Sequence, residues 1–462
     1  MTNRSTPEFA TANNLETLVS ITQSLFCTVI SFQTILKCKG FPMKEASTQL
    51  NSFYAVDRQS QKNWIEDQKK RIVNYHFQHN LFYQQLTKQA LPALWSDLPI
   101  LTKRDLQAPI GQMISQGYNL SDVYISNTSG SSGHPFFFAK DKFTHALTWT
   151  YILSQYESLN IRQGDLQARF YGIPLDKISY AKEKIKDFFM HRVRFPVFDL
   201  GDEMLEKFLM QFKGTKIQYV YGYTNSVLLF SQFLVRRGVR LVDVCPTLKR
   251  CIVTSEVCRE EDKRLIEQAL GVLVIREYGA SELDVIAIED IHGRWAVNEA
   301  NLFVEVLSDD NRVLPLGETG RLVITSLNNK AMPFIRYDIG DIGVMEEDDR
   351  GLILKTLSGR VNDTIVLPSG KKSPGLTFYY VSRSILESSG ILKEFIIRQT
   401  ALNSFEFDVV SDRSLTEEET KDIRAKMDLY LEPGLDLKIN RVEKINRPAS
   451  GKIKHFYSEL KS

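Results

Sequence analysis

From residue 124 onward, short apolar runs alternate with helical patterns, and this alternation constrains the fold more than any other feature of the sequence. Strand-like runs occupy residues 217–220 and 248–254, whereas helical patterns occupy 227–237 and 260–270. A parallel pair of strands needs a long crossover connection, usually a helix, so this order of segments is typical of a largely parallel sheet. The sequence therefore predicts an α/β fold.

The flanking segments have a different character. Residues 1–120 carry apolar positions at helical spacing and little glycine, which predicts a mostly helical lead-in. After residue 296, short strand-like runs broken by turns predict a β-rich subdomain, and the last hundred or so residues predict a small α+β unit. A Ser-Gly pair and a charged turn near residue 358 mark the boundary. The predicted domains are 1–358 and 359–462.

Charge and cysteine content exclude several classes of protein. Lys and Arg number 58 and Asp and Glu 56, so the net charge of +2 gives no basic footprint for nucleic acid. Five Cys without a tight pair predict reduced thiols and a cytoplasmic protein. Cys245, Cys251 and Cys258 are spaced too widely for a structural zinc site. Residues 18–36 lack charge but mix Ser, Thr and Gln with apolar residues at helical spacing, which favours a packed amphipathic helix over stable membrane insertion.

The segment 126–135, Ser-Asn-Thr-Ser-Gly-Ser-Ser-Gly-His-Pro, carries the strongest local signal. It lies between two strand-like runs and offers hydroxyls together with the backbone N–H groups that glycine leaves accessible. Such a loop can surround a polyphosphate, although Ser/Gly-rich hairpins are also common as simple turns. It does not fit the pattern of the Walker A loop.

Read together with four later motifs, this loop resembles the phosphate loop of the adenylate-forming superfamily. The later motifs are Tyr-Gly-Ala-Ser-Glu at 278–282, Arg-Tyr-Asp-Ile-Gly-Asp at 336–341, Gly-Arg-Val-Asn-Asp-Thr-Ile at 359–365 and Pro-Ala-Ser-Gly-Lys-Ile at 448–453. The leading segment 98–106, the step Thr-Ser-Glu at 254–256 and the stretch 359–380 are similar to the branch of phenylacetate-CoA ligases and capsule-associated proteins.

The resemblance implies a large N-terminal domain and a small mobile C-terminal domain that closes as a lid. It assigns ATP or AMP binding to Thr128, Ser129, Gly130, Ser131, Ser132, Gly133, Ser255, Glu256, Tyr278, Gly279, Ala280, Ser281, Asp341 and Arg360. Glu282 matches the family's Mg²⁺ ligand, Lys452 its catalytic lysine and Asn362 its hinge position. The acid pocket of the fold lies between strand ends, so we expect Phe170, Tyr171, Tyr221 and Gly222 to line it.

The implied reaction is attack of a carboxylate on the α-phosphorus of ATP, followed by transfer of the acyl group to a thiol, with CoA as the first expectation. Three alternatives stay open: transfer to an amine or to a separate carrier protein, adenylate transfer as the final chemistry, and a nucleotide-binding module without turnover. Both Glu282 and Lys452 are present, and binding alone requires neither. The protein is expected to act as a monomer or homodimer.

Two departures from the family pattern are visible. The phosphate loop of many relatives ends Gly-Lys-Pro, whereas this loop carries His134, a weaker counter-ion at neutral pH. Some phenylacetate-CoA ligase relatives carry a Cys-rich zinc loop after the Tyr-Gly-x-Ser-Glu motif, but residues 283–300 contain no Cys, so no structural zinc is predicted.

Overall fold

The computed structural model describes residues 32–128, 136–173, 177–358, 364–374, 377–378, 381, 392–411, 413–445 and 456–460. Several predicted positions lie outside these residues, namely Ser129, Gly130, Ser131, Ser132, Gly133, His134, Arg360, Asn362 and Lys452. Most of the predicted helix at 18–36 also lies outside them.

The described helices alternate with strands through the middle of the chain. The helices are α1 (Phe32–Cys38), α2 (Met43–Tyr54), α3 (Arg58–His79), α4 (Leu81–Leu86), α5 (Ile110–Met113), α6 (Lys142–Ser158), α7 (Lys177–Phe189), α8 (Asp202–Gly214), α9 (Thr224–Arg236), α10 (Leu241–Val244), α11 (Glu260–Leu270) and α12 (Glu417–Tyr430), with 3₁₀ turns at Trp95–Asp97 and Asp105–Gln107.

The strands are β1 (Tyr124–Asn127), β2 (Phe137–Lys140), β3 (Gln167–Phe170), β4 (Arg192–Phe195), β5 (Tyr219–Tyr223), β6 (Arg250–Thr254), β7 (Leu273–Ala280), β8 (Asp284–Glu289), β9 (Trp295–Val297), β10 (Leu302–Leu307), β11 (Thr319–Ser326), β12 (Tyr337–Asp348), β13 (Gly351–Ser358), β14 (Thr364–Val366), β15 (Lys372–Pro374), β16 (Leu392–Ala401), β17 (Ser404–Ser411), β18 (Asp436–Arg441) and β19 (Phe456–Ser458).

Eleven of the described strands form one sheet in the order β10-β11-β12-β13-β9-β8-β7-β6-β5-β3-β4. Neighbours from β4 to β7 run parallel and are joined through helices. The strands from β8 to β13 run antiparallel. The α/β fold class is therefore confirmed. The strands predicted as a β-rich subdomain after residue 296 continue this sheet, because β7 turns tightly into β8 and pairs with it.

Strand residues in the parallel half alternate between two environments. One face carries Ala168, Phe170, Val220 and Val253, which pack against apolar residues of α8, α9 and α11 in a large core. The opposite face carries Tyr219, Ile252 and Ile275 and packs against α6 and the N-terminal helices α1–α3. A period of two is the geometry of a strand, so every second residue belongs to each core.

The antiparallel half has its own core. Leu101 and Leu106 of the segment between the helical lead-in and β1 pack with Phe138 of β2 and Ile324 of β11. The carbonyl of Leu101 also accepts a hydrogen bond from the N–H of Asp338 at 2.8 Å. The hairpin β1–β2 is therefore anchored to the same part of the molecule as β12.

The C-terminal region contains the sheet β18-β17-β16-β19, covered by α12. Thr416 caps α12, since its hydroxyl accepts from the N–H of Glu419 at 3.2 Å while the Glu419 carboxylate accepts from the N–H of Thr416 at 2.7 Å. Phe198 of the preceding region packs on Tyr430 of α12, with ring centroids 5.0 Å apart. Among the described residues, no helix is long and apolar enough to span a membrane.

Candidate active site

A cleft of about 1640 Å³ opens where the parallel strands end. Its walls include Tyr171 after β3, Tyr223 at the end of β5, Ser255 after β6 and the segment 278–282 at the end of β7. In open α/β sheets, ligands bind in the crevice beyond the carboxyl ends of the strands. The fold therefore places the predicted nucleotide-binding segments at the position where such a sheet binds ligands.

The turn 278–282 is held rigidly from both sides. A side chain on Gly279 would place its Cβ 2.5 Å from the carbonyl oxygen of Asp284, so only glycine lets β7 and β8 approach this closely. The buried ammonium of Lys140 donates to the carbonyl of Ser281 at 2.9 Å and lies 2.6 Å from Oδ2 of Asp284. Lys140 ends β2, so it joins this turn to the hairpin that carries the Ser/Gly-rich segment.

Glu282 is buried at this turn, and the hydroxyl of Tyr337 donates to its Oε1 at 2.7 Å. Mg²⁺ commonly takes one or two protein carboxylates and fills its other positions with water and substrate phosphates. Among the described residues, no group of three or more His, Cys, Asp and Glu could form an all-protein metal cage. A single oriented carboxylate at the cleft wall fits a Mg²⁺ ion that arrives with a nucleotide.

The structure brings Tyr278 and Asp341 together. The hydroxyl of Tyr278 donates to Oδ2 of Asp341 at 3.0 Å, and both residues line the cleft. Asp341 is half-buried on β12, at the position that the resemblance assigns to ribose binding. The hydrogen bond orients both the carboxylate and the aromatic ring.

Arg336 opens the motif at 336–341 but does not face the cleft. It is 1% exposed, and its guanidinium donates to the carbonyls of Ser96 and Leu98 at 2.6 and 2.9 Å. Its backbone lies in the left-handed region with φ of 48°. Arg336 therefore holds the leading segment at 98–106 against β12, and the two motifs recognised separately in the sequence form one structural unit.

Glu256 lies at the foot of the cleft beside α9. Its Oε2 accepts from the backbone N–H of Asn225 at 2.9 Å, and its carbonyl accepts from the hydroxyl of Thr224 at 3.0 Å. No described residue donates to its buried Oε1. Burial raises the pKa of Glu256 to about 7. The single N–H donor lowers the pKa, but this effect is smaller than that of burial. Ser255 beside it has φ of 70°, a conformation that non-glycine residues seldom adopt.

Strand alternation separates the four residues predicted to line the acid pocket. Tyr171 and Tyr221 line the cleft, and their rings stack with centroids 5.7 Å apart. Phe170 is fully buried in the core on the other face of the sheet, stacked on Phe195 at 5.0 Å. Gly222 lies against Phe170, since a Cβ on it would be 2.5 Å from the Phe170 Cβ. Adjacent strand residues point to opposite faces of the sheet. Phe170 and Tyr171 therefore do not line the same pocket, and neither do Tyr221 and Gly222.

The same alternation identifies cleft residues that the sequence reasoning missed. Arg169, two residues before Tyr171, places its guanidinium 4.1 Å from the centroid of the Tyr171 ring. Glu277 accepts from the hydroxyl of Tyr221 at 2.7 Å, and burial raises its pKa. The signal that could have revealed them is a charged residue inside a short, otherwise buried strand, Arg169 in β3 and Glu277 in β7.

Thr128 closes the neck of the Ser/Gly-rich segment. It is buried, and its hydroxyl accepts from the N–H of Phe136 at 3.1 Å, while its own N–H donates to the Phe136 carbonyl at 3.0 Å. Thr128 and Phe136, which flank the segment, are therefore neighbours beside the cleft. The residues within it that were assigned to phosphate binding lie outside the described residues.

The curated relatives that match in sequence are consistent with this site. The phenylacetate-coenzyme A ligase of Pseudomonas putida is 33% identical over 112 residues, which make up 23% of this chain and 25% of that protein. Protein CapK of Staphylococcus aureus is 20% identical over 316 residues, covering 64% of this chain and 66% of that protein. The phenylacetate-coenzyme A ligase of Thermus thermophilus is 23% identical over 60% of this chain and 64% of its own length. The matches thus span less than two thirds of each relative. No family model matches the chain.

The fold is that of solved ligases. A 2-hydroxyisobutyryl-CoA ligase, solved with 2-HIB-AMP and CoA in its thioesterification state, superposes with a TM-score of 0.58 at 16% identity over 88% of this chain and 91% of the other. The open conformation of the same ligase gives a TM-score of 0.54 at 16% identity, with 87% and 92% covered. The chain therefore has the fold of the adenylate-forming ligases.

Within that class, the sequence similarity lies with the phenylacetate-CoA ligases and Protein CapK. The resemblance read from the five motifs, to the adenylate-forming superfamily and to this branch of it, is confirmed.

Proposed function

We propose that this protein activates a carboxylic acid with ATP and transfers the acyl group to the thiol of CoA. The observation that carries the proposal is the convergence of Glu282, Tyr278, Asp341 and Glu256 on one cleft at the ends of parallel strands. These side chains come from distant parts of the sequence, and each lies in a motif assigned to nucleotide binding. The relatives named as phenylacetate-coenzyme A ligases support the same reaction.

In the first half-reaction, an oxygen of the carboxylate attacks the α-phosphorus of ATP. The bond from that phosphorus to the bridging oxygen breaks, and pyrophosphate leaves. Catalysis of such a displacement consists mainly of positioning the reactants and stabilising developing negative charge. Bound Mg²⁺ supplies charge neutralisation at the phosphates. Glu282 would hold that ion, and Tyr337 fixes the carboxylate through its 2.7 Å hydrogen bond.

The other residues of the cleft position the nucleotide. Asp341 would accept hydrogen bonds from the ribose hydroxyls, with Tyr278 orienting its carboxylate. Ser281, exposed at the turn whose carbonyl is held by Lys140, offers a hydroxyl for the α-phosphate. Ser129, Gly130, Ser131, Ser132 and Gly133 would supply hydroxyl and N–H donors to the β- and γ-phosphates. Thr128 would supply only the proton of its hydroxyl, because its N–H already donates to the Phe136 carbonyl.

Lys452 would approach from the C-terminal domain and bridge the attacking carboxylate and the α-phosphate. An ammonium is a compact point charge that suits this task. In the second half-reaction, the thiol sulfur of CoA attacks the acyl carbon, the thiol proton is released, and AMP leaves with both electrons of the broken acyl–oxygen bond. Rotation about the segment with Arg360 and Asn362 would move Lys452 away from the cleft and let the thiol of CoA approach the acyl-adenylate.

The test is acid-dependent exchange of labelled pyrophosphate into ATP, screened over a panel of carboxylic acids. We expect Lys452→Ala to reduce exchange by about 100-fold or more while ATP binding stays nearly unchanged, because the lysine acts mainly on the transition state. Lys444→Ala, an exposed lysine nearby, is the matched control. Full exchange in Lys452→Ala would remove its assigned role.

The acceptor is tested separately on the preformed acyl-adenylate. CoA, simple amines and a purified carrier protein are compared under single-turnover conditions. Consumption of the acyl-adenylate with CoA only supports the proposal. Preference for an amine or a carrier thiol would change the proposed second half-reaction and leave the first half-reaction as proposed.

A further inference from the structure

The cleft continues past the strand ends along one face of β3, β4 and β5. Arg192 pairs in register with Gln167, and Gln167 pairs with Tyr219, so these three residues form one row across the sheet. Arg169 and Tyr221 form the next row toward the strand ends. All five side chains belong to residues that line the cleft. This inner end of the cleft is therefore polar and aromatic, unlike the apolar face on the other side of the sheet.

Two guanidinium groups at this inner end, those of Arg169 and Arg192, lack an acidic partner among the described residues. Arg169 donates to Oε1 of Gln167 at 3.2 Å and otherwise contacts the faces of tyrosine rings. Arg192 is half-buried, and no described residue accepts a hydrogen bond from its buried Nε. A buried N–H group without an acceptor is costly, since it has lost its hydrogen bond to water without gaining another.

The acidic groups nearby contact other residues. Asp187 lies 2.7 Å from the guanidinium of Arg194, and Asp165 lies 2.8 Å from the ammonium of Lys249. Glu277 accepts from the hydroxyl of Tyr221 at 2.7 Å. Burial, together with the neighbouring charge of Arg169, lowers the pKa of Arg192 to about 9. The inner end of the cleft thus holds two guanidinium groups that form no ion pair with a described carboxylate, and the Nε of Arg192 has no described acceptor.

We propose that this inner end binds an anionic group at the far end of the acid substrate, so that the enzyme selects acids with two negatively charged termini. The inference rests on the proposed function. A guanidinium matches the planar, bidentate geometry of a carboxylate or the oxygens of a phosphate, and both groups share this chemistry. The tyrosines at the entrance provide flat, apolar walls for the chain between the two termini.

Strand geometry sets the reach of such a substrate. The guanidinium of Arg169 lies beside the Tyr171 ring at the strand ends, 4.1 Å from its centroid. The row of Gln167 and Arg192 lies two residues deeper along β3, a rise of about 7 Å. An acid whose reacting carboxylate sits at the strand ends therefore reaches Arg169 with a short chain and Arg192 with a longer one.

The test compares α,ω-dicarboxylic acids of increasing length, ω-phosphonocarboxylic acids of the same lengths, and the monomethyl esters of the dicarboxylic acids in pyrophosphate exchange. We expect the doubly charged acids to be preferred, and Arg192→Gln to raise their KM by about tenfold or more, as for the loss of a charged hydrogen bond. KM for the monomethyl esters should not change. Arg237→Gln, on an exposed arginine at the end of α9, is the control.

Arg192→Lys is the control for a folding defect in Arg192→Gln, because lysine keeps the positive charge but loses the bidentate geometry. It should give a KM between those of wild type and Arg192→Gln. Preference for the dicarboxylic series identifies a second carboxylate, and preference for the phosphono series identifies a phosphate. Equal KM for charged and esterified acids, with no effect of Arg192→Gln, would overturn the inference and leave the proposed function standing.

A binding measurement distinguishes failure of the proposed function from failure of the inference about Arg192. If no acid supports exchange, the proposed function fails, and calorimetric titration of the protein with the longest dicarboxylic acid decides the inference independently. Binding that is lost in Arg192→Gln supports it. Binding that is equal for the dicarboxylic acid and its ester, or absent for both, overturns it.

Discussion

Glu256 combines a raised pKa with a single backbone hydrogen bond, and this gives it a defined effect on stability. Its pKa rises from 4.5 to about 7 on folding because of burial. Between these two pH values, the unfolded chain has released the proton and the folded chain still holds it. The unfolded state therefore gains relative stability as pH rises through this window, and the effect is complete above about 7.

Replacing Glu256 with Gln removes this titration and keeps the shape of the side chain. We expect Glu256→Gln to gain up to about 3 kcal/mol of unfolding free energy relative to wild type as pH rises from 4.5 to 7, and to gain no more above it. Urea unfolding at several pH values measures the difference. Glu203→Gln, an exposed residue of α8, is the control, and parallel pH curves for wild type and Glu256→Gln would contradict the prediction.

Individual residues also show what a sequence can and cannot reveal. Glu282 and Asp341 could be placed from motifs, because each follows an aromatic-glycine or glycine step that sets the local backbone. Arg169 and Arg192 belong to no motif, and their position in the cleft depends on the pairing of β3, β4 and β5. Which strands are neighbours in a sheet is a long-range property that local patterns do not encode.

The turn between β7 and β8 is the element whose geometry most directly sets the site. Its glycine allows close approach to the Asp284 carbonyl, and the turn presents Glu282. We expect Gly279→Ala to lower the unfolding free energy by about 1–3 kcal/mol, because its Cβ would meet backbone atoms that cannot move aside cheaply. Exchange activity should fall as well, since the displaced turn carries Glu282.

Gly214→Ala provides the matched control. Gly214 ends α8, and a Cβ added there meets open space. This change should be neutral or stabilise the protein by up to about 1 kcal/mol, because alanine favours helix. Thermal and urea unfolding of both variants test the pair. Equal stability of Gly279→Ala and wild type would show that the turn tolerates a side chain.

Elements with strong local signals could be predicted almost to the residue. The helix predicted at 260–270 has the bounds of α11, and an acidic first turn with Gly271 after its end explains why. The strand predicted at 217–220 is observed at Tyr219–Tyr223, because pairing with β3 and β6 begins at Tyr219 and pairing with β6 continues through Tyr223. Register with neighbours decides such boundaries, and apolarity alone does not.

At the scale of the whole molecule, the contact between Phe198 and Tyr430 links the main sheet region to α12. Both side chains are buried, and Ile173 belongs to the same cluster. If the C-terminal domain occupies different positions in the two half-reactions, this contact favours one of them. An aromatic pair contributes about 0.5–1.5 kcal/mol beyond its buried area, enough to shift a two-state balance by a few-fold up to about tenfold.

Phe198→Ala should therefore change the ratio of pyrophosphate exchange to CoA thioester formation by about threefold or more. Phe198→Leu, which keeps apolar volume, should have a smaller effect. Both rates are measured on the same preparations. Two rates that fall together by the same factor would mean that the contact supports folding only and does not bias the domain arrangement.

The division into two domains, with its boundary at the Ser-Gly pair and charged turn near residue 358, stays a prediction. The joining of parallel and antiparallel strands into one sheet could not be predicted. The sequence changes character after residue 296, yet β8 and β9 continue the sheet across that point. A change in strand direction alters local patterns without ending the hydrogen-bonded ladder.

The alternation along β3 and β5 has a consequence for how such an enzyme changes over time. Ala168 and Phe170 serve the core, whereas Gln167 and Arg169 serve the cleft, and the two sets interleave on one strand. Substitutions at Arg169, which is half-buried on the cleft side of β3, can alter substrate range with little disturbance of the packing that holds the sheet together. Substrate selectivity and folding stability thus depend on different positions of one short strand. A directed-evolution library restricted to the cleft-facing position should therefore retain a high fraction of folded variants.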